Sequence, residues 1–267
     1  MREVRRVRRP AVAGSFYPAD ATELRSAIER SFADARPSDA DAPVPKALVV
    51  PHAGYVYSGP VAATGFARLL AGRMTIRRVV LLGPSHRVPL RGLGLSSADV
   101  WATPLGEVAV DHVDDQALLD LPAVVVDDAA HGPEHSLEVQ VPFLQSVLDE
   151  FRLVPVIVGA AGAEEVASLL DLLWGGPETV VVVSTDLSHY HPQHDAVRLD
   201  ARTAAAVVAR DGAAIGDRGA CGARPLRGLL AAAAAHDLNV QPLDLRTSGD
   251  TAGDSSSVVG YGAFALT

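Results

Sequence analysis

The sequence predicts an α/β fold: a single layered domain over residues 1–267, with a mixed, mainly parallel central sheet and helices on both faces. Three observations predict it. Segments 46–51, 77–83, 153–158 and 179–185 are unbroken runs rich in aliphatic and β-branched residues, the pattern of parallel strands buried on both sides. Segments with helical periodicity separate those runs. No linker or internal repeat divides the 267 residues, and a hydrophobic content of 48% suits one large core.

The elements follow in order. The start, MREVRRVRRP, carries Arg2, Arg5, Arg6, Arg8 and Arg9 and reads as a solvated basic end. AGSFYPAD has turn chemistry, and 21–35 has helical periodicity. RPSDADAPVP is a Pro/Asp-rich connection before the strand KALVVP (46–51). A helix is expected over 58–72, with Pro60 in its first turn. After RRVVLLG (77–83), residues 91–111 suggest short strands and hairpins, so the sheet is expected to be mixed on that side. DDQALLD (114–120) is a short helix, and 136–151 an amphipathic helix that Pro142 is expected to kink. A strand over 152–159, a helix over 163–175 and the strand TVVVVST (179–185) follow. Helices over 194–211 and 221–238 precede two closing strands, 240–250 and 256–266.

Charge and length exclude several functions. Lys and Arg total 23 against 32 Asp and Glu, a net charge of −9 that argues against general nucleic-acid binding. No apolar run approaches the ~20 residues of a membrane span. The basic start lacks the apolar stretch of a secretory signal, so the expected compartment is the cytoplasm. The lone cysteine, Cys221, excludes an internal disulfide and any Cys-rich zinc module.

The chemistry concentrates where strands end. VVPHAGYVYSG carries His52, VVLLGPSHR carries His86, and VVVVSTDLSHYH carries Asp186, His189 and His191. Ligands in open α/β sheets bind outside the carboxyl ends of the strands, and neutral imidazole is the commonest metal ligand. Three such loops therefore point to a metal site. Asp186, three residues before His189, can orient that ring, or act as ligand or base; it also suits an N-cap, as do Ser184 and Thr185. Cys221 opens a helix, where the dipole and free N–H groups lower a thiol pKa, although a free cysteine is more often a small buried hydrophobe. In HGPEHSLEVQ, His131 and His135 are four apart, but Gly132 and Pro133 break any helix between them, which rejects zincin-type chemistry. His135 remains an acid/base or substrate-contact candidate, while Glu134 and Ser136 suit capping. Neither a P-loop nor a GxSxG elbow occurs.

Taken together, AVAGSFYPAD, VVPHAGYVYSGPVAA, LLGPSHR, HGPEHSLEVQVPFLQ, STDLSHY, ACGARPLRGLL and SSVVGYGAFAL resemble, in this order, the Memo-like family. Its bacterial and archaeal members are called AmmeMemoRadiSam system protein B. The resemblance runs nearly end to end. It implies a fold similar to the class III (LigB-type) extradiol dioxygenases, and a metal set of His52, His86 and Cys221. Asp186 and His189 match the adjoining acidic and histidine positions, and His135 lies in a further matching motif. The expected roles are therefore metal ligation by His52, His86 and Cys221, acid/base work by His189 with Asp186 as its orienter, and a supporting catalytic role for His135. Thiolate softness favours Fe(II) or Cu(I), with Zn also suited, over a ring-opening centre, so catechol cleavage is not expected. The family name implies an AMMECR1-domain protein and a radical-SAM protein as partners. Three functions remain open: a redox or oxygenase-related metal enzyme, a non-catalytic peptide or phospho-ligand binding module, and a copper or iron metallochaperone.

Overall fold

The computed structural model describes residues 5–37, 41–112, 115–251 and 254–267. In chain order its strands and α-helices are β1 (Val7–Arg8), α1 (Ala21–Ala33), β2 (Ala47–Val50), α2 (Tyr55–Ala67), β3 (Arg78–Pro84), β4 (Leu93–Leu95), β5 (Val100–Thr103), β6 (Gly106–Ala109), α3 (Asp115–Leu119), β7 (Val124–Val126), α4 (Asp128–His131), α5 (Val141–Val147), β8 (Arg152–Val158), α6 (Ala163–Leu173), β9 (Thr179–Ser184), β10 (His189–His191), α7 (Gln193–Val208), α8 (Ala223–Ala235), β11 (Val240–Thr247), α9 (Ser248–Thr251) and β12 (Val258–Leu266).

The four aliphatic runs form the centre of a nine-stranded sheet, ordered β10-β12-β2-β9-β3-β8-β4-β7 with β11 beside β12. Strands β2, β9, β3 and β8 are mutually parallel. Strand β12 runs antiparallel to β2, and β4 antiparallel to β8, so the sheet is mixed at both flanks. Alternate side chains feed two cores, as the two-residue period of a strand requires. Leu48, Val50, Leu81 and Val182 pack with Leu24, Phe66 and Phe143 of α1, α2 and α5. Ala47, Val49, Leu82 and Val183 pack with Leu170, Val207 and Leu229 of α6, α7 and α8. The expected architecture, with helices on both faces, is thus the observed one. Strands β1, β5 and β6 form a separate small sheet whose Trp101 and Val108 join the first core.

Several local expectations are corrected. The helix expected from residue 58 begins at Tyr55, so Pro60 lies within it rather than in its first turn. The helix expected over 136–151 is a 3₁₀ turn, Glu138–Gln140, followed by α5; Pro142 sits at the start of α5, where a missing N–H costs nothing, and so begins the helix instead of kinking it. No helix follows Asp186: the chain runs into β10, which removes the N-cap role. The basic end is only partly solvated. Arg5 and Arg6 make exposed pairs with Glu107 and Asp99, but Arg8 is buried against Glu138, and Arg2 lies outside the described residues. Among the described residues, no helix is long and apolar enough to cross a membrane.

Register levels the strand ends that matter. Val50 pairs with Ser184, and Leu82 with Val183, so β2, β9 and β3 finish side by side. His52, Asp186 and His86 leave the sheet within three residues of those ends, on one edge.

Candidate metal centre

His52 is built in from behind. Its backbone N–H donates to Asp186 Oδ1 (2.7 Å), and Ala53 N–H reaches the same oxygen (3.3 Å). Its ring Nδ1 lies 2.9 Å from Ser184 Oγ. That hydroxyl donates its one proton to the Ser136 carbonyl (2.6 Å) and accepts from Gln140 Nε2 (2.7 Å). Toward His52 it can only accept, so Nδ1 carries the proton and Nε2 presents a bare lone pair. Burial, reinforced by the imidazoles of His86 and His135, pushes the His52 pKa well below its ordinary value. The ring is therefore neutral near pH 7, the form a metal needs.

His86 and His135 are organised by a residue that sequence reading treated as a cap. Glu134 accepts the backbone N–H of His86 at Oε2 (2.5 Å) and those of His135 (2.9 Å) and Ser136 (3.0 Å) at Oε1. Nδ1 of His86 lies 3.0 Å from Oε1, and Nδ1 of His135 lies 3.1 Å from the same oxygen, too obliquely for a hydrogen bond. Burial by itself raises the Glu134 pKa, but the imidazoles of His135 and His86 and the backbone donors outweigh it and hold the carboxyl well below the usual range. A fixed anion beside Nδ1 leaves Nε2 of each ring to face a metal, the common arrangement of an outer partner behind a metal-ligating histidine.

The three rings meet. His86 and His135 stack with centroids 4.8 Å apart, and His52 stands edge-on to both, at 5.1 and 5.4 Å. One potential ligand nitrogen from each lies within 4.8 Å of the others, an arrangement that can hold a metal ion. Imidazoles bound at ~2.1 Å sit at most ~4.2 Å apart. Three rings sharing one ion sit closer still, ~3.4–3.6 Å apart, so closing the set moves each ring inward by up to ~0.7 Å. His135, expected to do acid/base work, stands with His52 and His86 in this cluster.

Cys221 stands beside the cluster, against His52 alone of the three rings. Its Sγ lies 3.2 Å from His52 Nε2 and accepts from the Asp186 N–H (3.3 Å). The expected activation by a helix start is corrected. Helix α8 begins at Ala223, and burial, then the neighbouring Asp186 carboxylate, push the Cys221 thiol up to about 12. The side chain is a neutral thiol here, and a bound metal would have to displace its proton.

The expected orienting contact is corrected: among the described residues no hydrogen bond joins Asp186 to His189, although the two interact through space. Burial raises the Asp186 pKa, and its Oδ1 clamps the His52 loop. His189 Nδ1 instead donates to the Leu187 carbonyl (2.8 Å), which leaves its Nε2 as the basic atom. His189 and His191 line the cleft above the cluster, whereas His194 pairs with Asp195 at the surface and buried His131 donates to the Gly94 carbonyl. The cleft holds about 920 Å³ and is walled by Phe16, Tyr57, Tyr261, Arg87 and Arg218.

Two glycines permit the loops to close this tightly. A Cβ on Gly83 would lie 2.6 Å from Leu137 Cδ1 and 2.9 Å from Ser136 Oγ; one on Gly222 would lie 2.7 Å from Thr185 Cβ. Gly83→Ala is expected to cost ~1–3 kcal/mol by overpacking. It should also loosen metal retention, because the displaced segment carries Glu134 and His135. Thermal denaturation and metal titration of the variant check both effects.

Glu134, Ser184, Gln140 and Phe16 were missed as site residues. The one available signal was that Glu134 adjoins a candidate ligand, His135; the others meet the site only through chain distant in sequence.

The sequence profile described as Memo-like protein matches residues 8–265. MEMO1 family protein MK0963 of Methanopyrus kandleri is 40% identical, covering 96% of this chain and 97% of its own. MEMO1 family proteins of Sulfolobus acidocaldarius and Thermotoga maritima are each 38% identical, over 96% and 95% of this chain and 97% of theirs. A solved structure, uncharacterized protein JW3007 from Escherichia coli K12, matches with a TM-score of 0.49 at 16% identity, over 81% of this chain and 98% of that one, a likeness too loose to bear on the site. A match from Arg8 to Ala265 and relatives this similar along nearly their whole length place the chain in the Memo-like family.

Proposed function

We propose that this protein binds one transition-metal ion through His52, His86 and His135, with Cys221 as a fourth donor, and uses it in redox or oxygenase-related chemistry on a small molecule or peptide in the cleft. The observation that carries this reading is the convergence of three ring nitrogens with two anchors behind them, Ser184 for His52 and Glu134 for His86 and His135. Neutral imidazoles plus one thiol form a soft donor set of low charge. That set suits Cu(I) or Fe(II), with Zn next. A redox-active ion would supply electron-transfer or dioxygen chemistry there. The chain's own contribution is to shield the site with Phe16 and Tyr261, and to move a proton at His189 Nε2. The proposed compartment is the cytoplasm, whose reducing conditions would keep Cys221 a thiol, and an AMMECR1-domain protein and a radical-SAM protein are the proposed partners. Catechol ring opening is not expected.

Elemental analysis of protein prepared without chelators or a metal-affinity tag tests the reading. The expected result is close to one transition-metal ion per chain. His135→Ala should weaken metal binding and leave a lower-affinity set of His52, His86 and Cys221, and Cys221→Ser should weaken Cu(I) more than Zn, because a hydroxyl is a poor substitute for thiolate. His189→Ala should keep the metal and lose turnover. A metal-free parent that still binds peptide would establish the binding module instead. A loaded parent that passes its metal to an acceptor without turnover would establish a metallochaperone.

A further inference from the structure

The segment AVAGSFYPAD has so far contributed only Phe16, as a wall of the cleft, yet it touches two of the three imidazole loops. Residues 12–17 form a tight turn: Gly14 has φ +85°, and its N–H donates to the Tyr17 carbonyl (2.7 Å). The turn hangs on Glu138, which accepts from Ala11 N (2.7 Å), Val12 N (3.0 Å) and Tyr17 Oη (2.6 Å). The other partner of Glu138 is Arg8, and both side chains are almost fully buried, at 5% and 1% exposure. The Arg8 guanidinium also donates to the carbonyls of His131 (3.1 Å), Gly132 (3.4 Å) and Glu134 (2.6 Å). It therefore grips the stretch that carries Glu134 and His135. From the same turn Phe16 lies against the His135 ring, with centroids 4.6 Å apart, and its carbonyl accepts the N–H of Tyr55, three residues after His52.

From this geometry we infer that residues 8–17 form a bracket that sets His135 into the metal cluster, with Arg8 and Phe16 as positioning residues. The inference rests on the metal-binding reading proposed above. Burying an ion pair contributes little net stability compared with an apolar pair of the same shape. What a planar guanidinium supplies is direction: several fixed donors that hold three carbonyls in one arrangement, which the single ammonium of lysine cannot reproduce. Phe16 completes the bracket from the cleft side. It stands between the cleft over the metal cluster and a neighbouring one of about 820 Å³.

The test uses Arg8→Lys and Phe16→Leu, each in the parent and in a His135→Ala background. Arg8→Lys keeps the charge opposite Glu138; Phe16→Leu is partly exposed and keeps an apolar side chain, so it remains informative where Arg8→Lys fails to fold. Co(II) affinity and the Co(II) visible spectrum are measured in all forms, together with the ring resonances of His135 and His236 in metal-free protein. In the parent background each substitution should lower Co(II) affinity by about 10–100-fold, and in the His135→Ala background by less than about twofold. The Co(II) bands should move, and the His135 ring resonances should shift while those of His236, stacked on Trp174 away from the site, stay in place. Equal losses in both backgrounds, or His135 resonances that do not move, would overturn the bracket. A parent that binds no Co(II) would defeat the metal reading, and the His135 resonances would still decide the bracket.

Discussion

Glu134→Gln is expected to lower metal affinity by at least ~10–100-fold, the worth of one outer partner of a ligating histidine, since Glu134 hydrogen-bonds His86 Nδ1 and also lies beside His135 Nδ1. The carboxylate accepts from the backbone N–H groups of His86, His135 and Ser136, and also faces two Nδ1 atoms. An amide has one acceptor oxygen. Placed toward His135 and Ser136, it turns its NH₂ against the His86 N–H, two donors face to face. The His86 loop must then move, and neither ring keeps an anion to fix its tautomer. Leaving a buried donor unsatisfied costs ~1–3 kcal/mol, so a fall in stability should accompany the loss of metal. Competition titration with a chelator and thermal unfolding of the metal-free protein separate the two effects. A variant that binds metal as the parent does would remove Glu134 from the site.

Glu138→Ala should be the most destabilising single change outside the metal cluster. Truncating one partner of a buried ion pair costs ~3–5 kcal/mol, because the other charge stays buried without compensation. Here the loss also strands Ala11 N–H, Val12 N–H and the Tyr17 hydroxyl. At ~2–4 °C per kcal/mol for a chain of about this size or slightly smaller, the midpoint should fall by roughly 6–20 °C. Calorimetry of the metal-free variant gives the number directly. Arg8→Met combined with Glu138→Leu should recover only the part of that loss due to the uncompensated Arg8 charge, since the donors of residues 11, 12 and 17 and the carbonyls of His131, Gly132 and Glu134 stay unsatisfied. A fall below ~1 kcal/mol for Glu138→Ala would mean that water reaches Arg8 in place of the carboxylate.

The parallel strands were legible because burial on both faces writes itself into consecutive residues. Runs such as VVVVST have no other role in a chain without a membrane-length segment. Irregular pieces were less legible. Strand β10, His189–His191, is three residues long and polar, and its existence depends on pairing with β12, more than sixty positions on in the chain. Helix α5 was shortened for a similar reason: residues 136–140 are spent holding Pro84, Ser184 and Glu134 contacts rather than a regular ladder.

By itself the sequence determined the layer order, the strands that form the middle of the sheet, and the loops that deliver His52, His86, Asp186 and Cys221 to one edge. Those follow from local periodicity and from the rule that parallel strands end together. Tertiary structure decided the rest. It placed His135 among the ligating nitrogens, made Glu134 the anion behind two rings, turned Asp186 from His189 to the His52 backbone, and buried Arg8 against Glu138. It also reversed the expected shift of the Cys221 thiol, because desolvation and a neighbouring carboxylate outweigh a helix start two residues away. Each of these depends on which distant segments meet and how much water they exclude. Pairwise distance and desolvation set hydrogen-bond partners and pKa shifts, and neither quantity has a local signature in the chain.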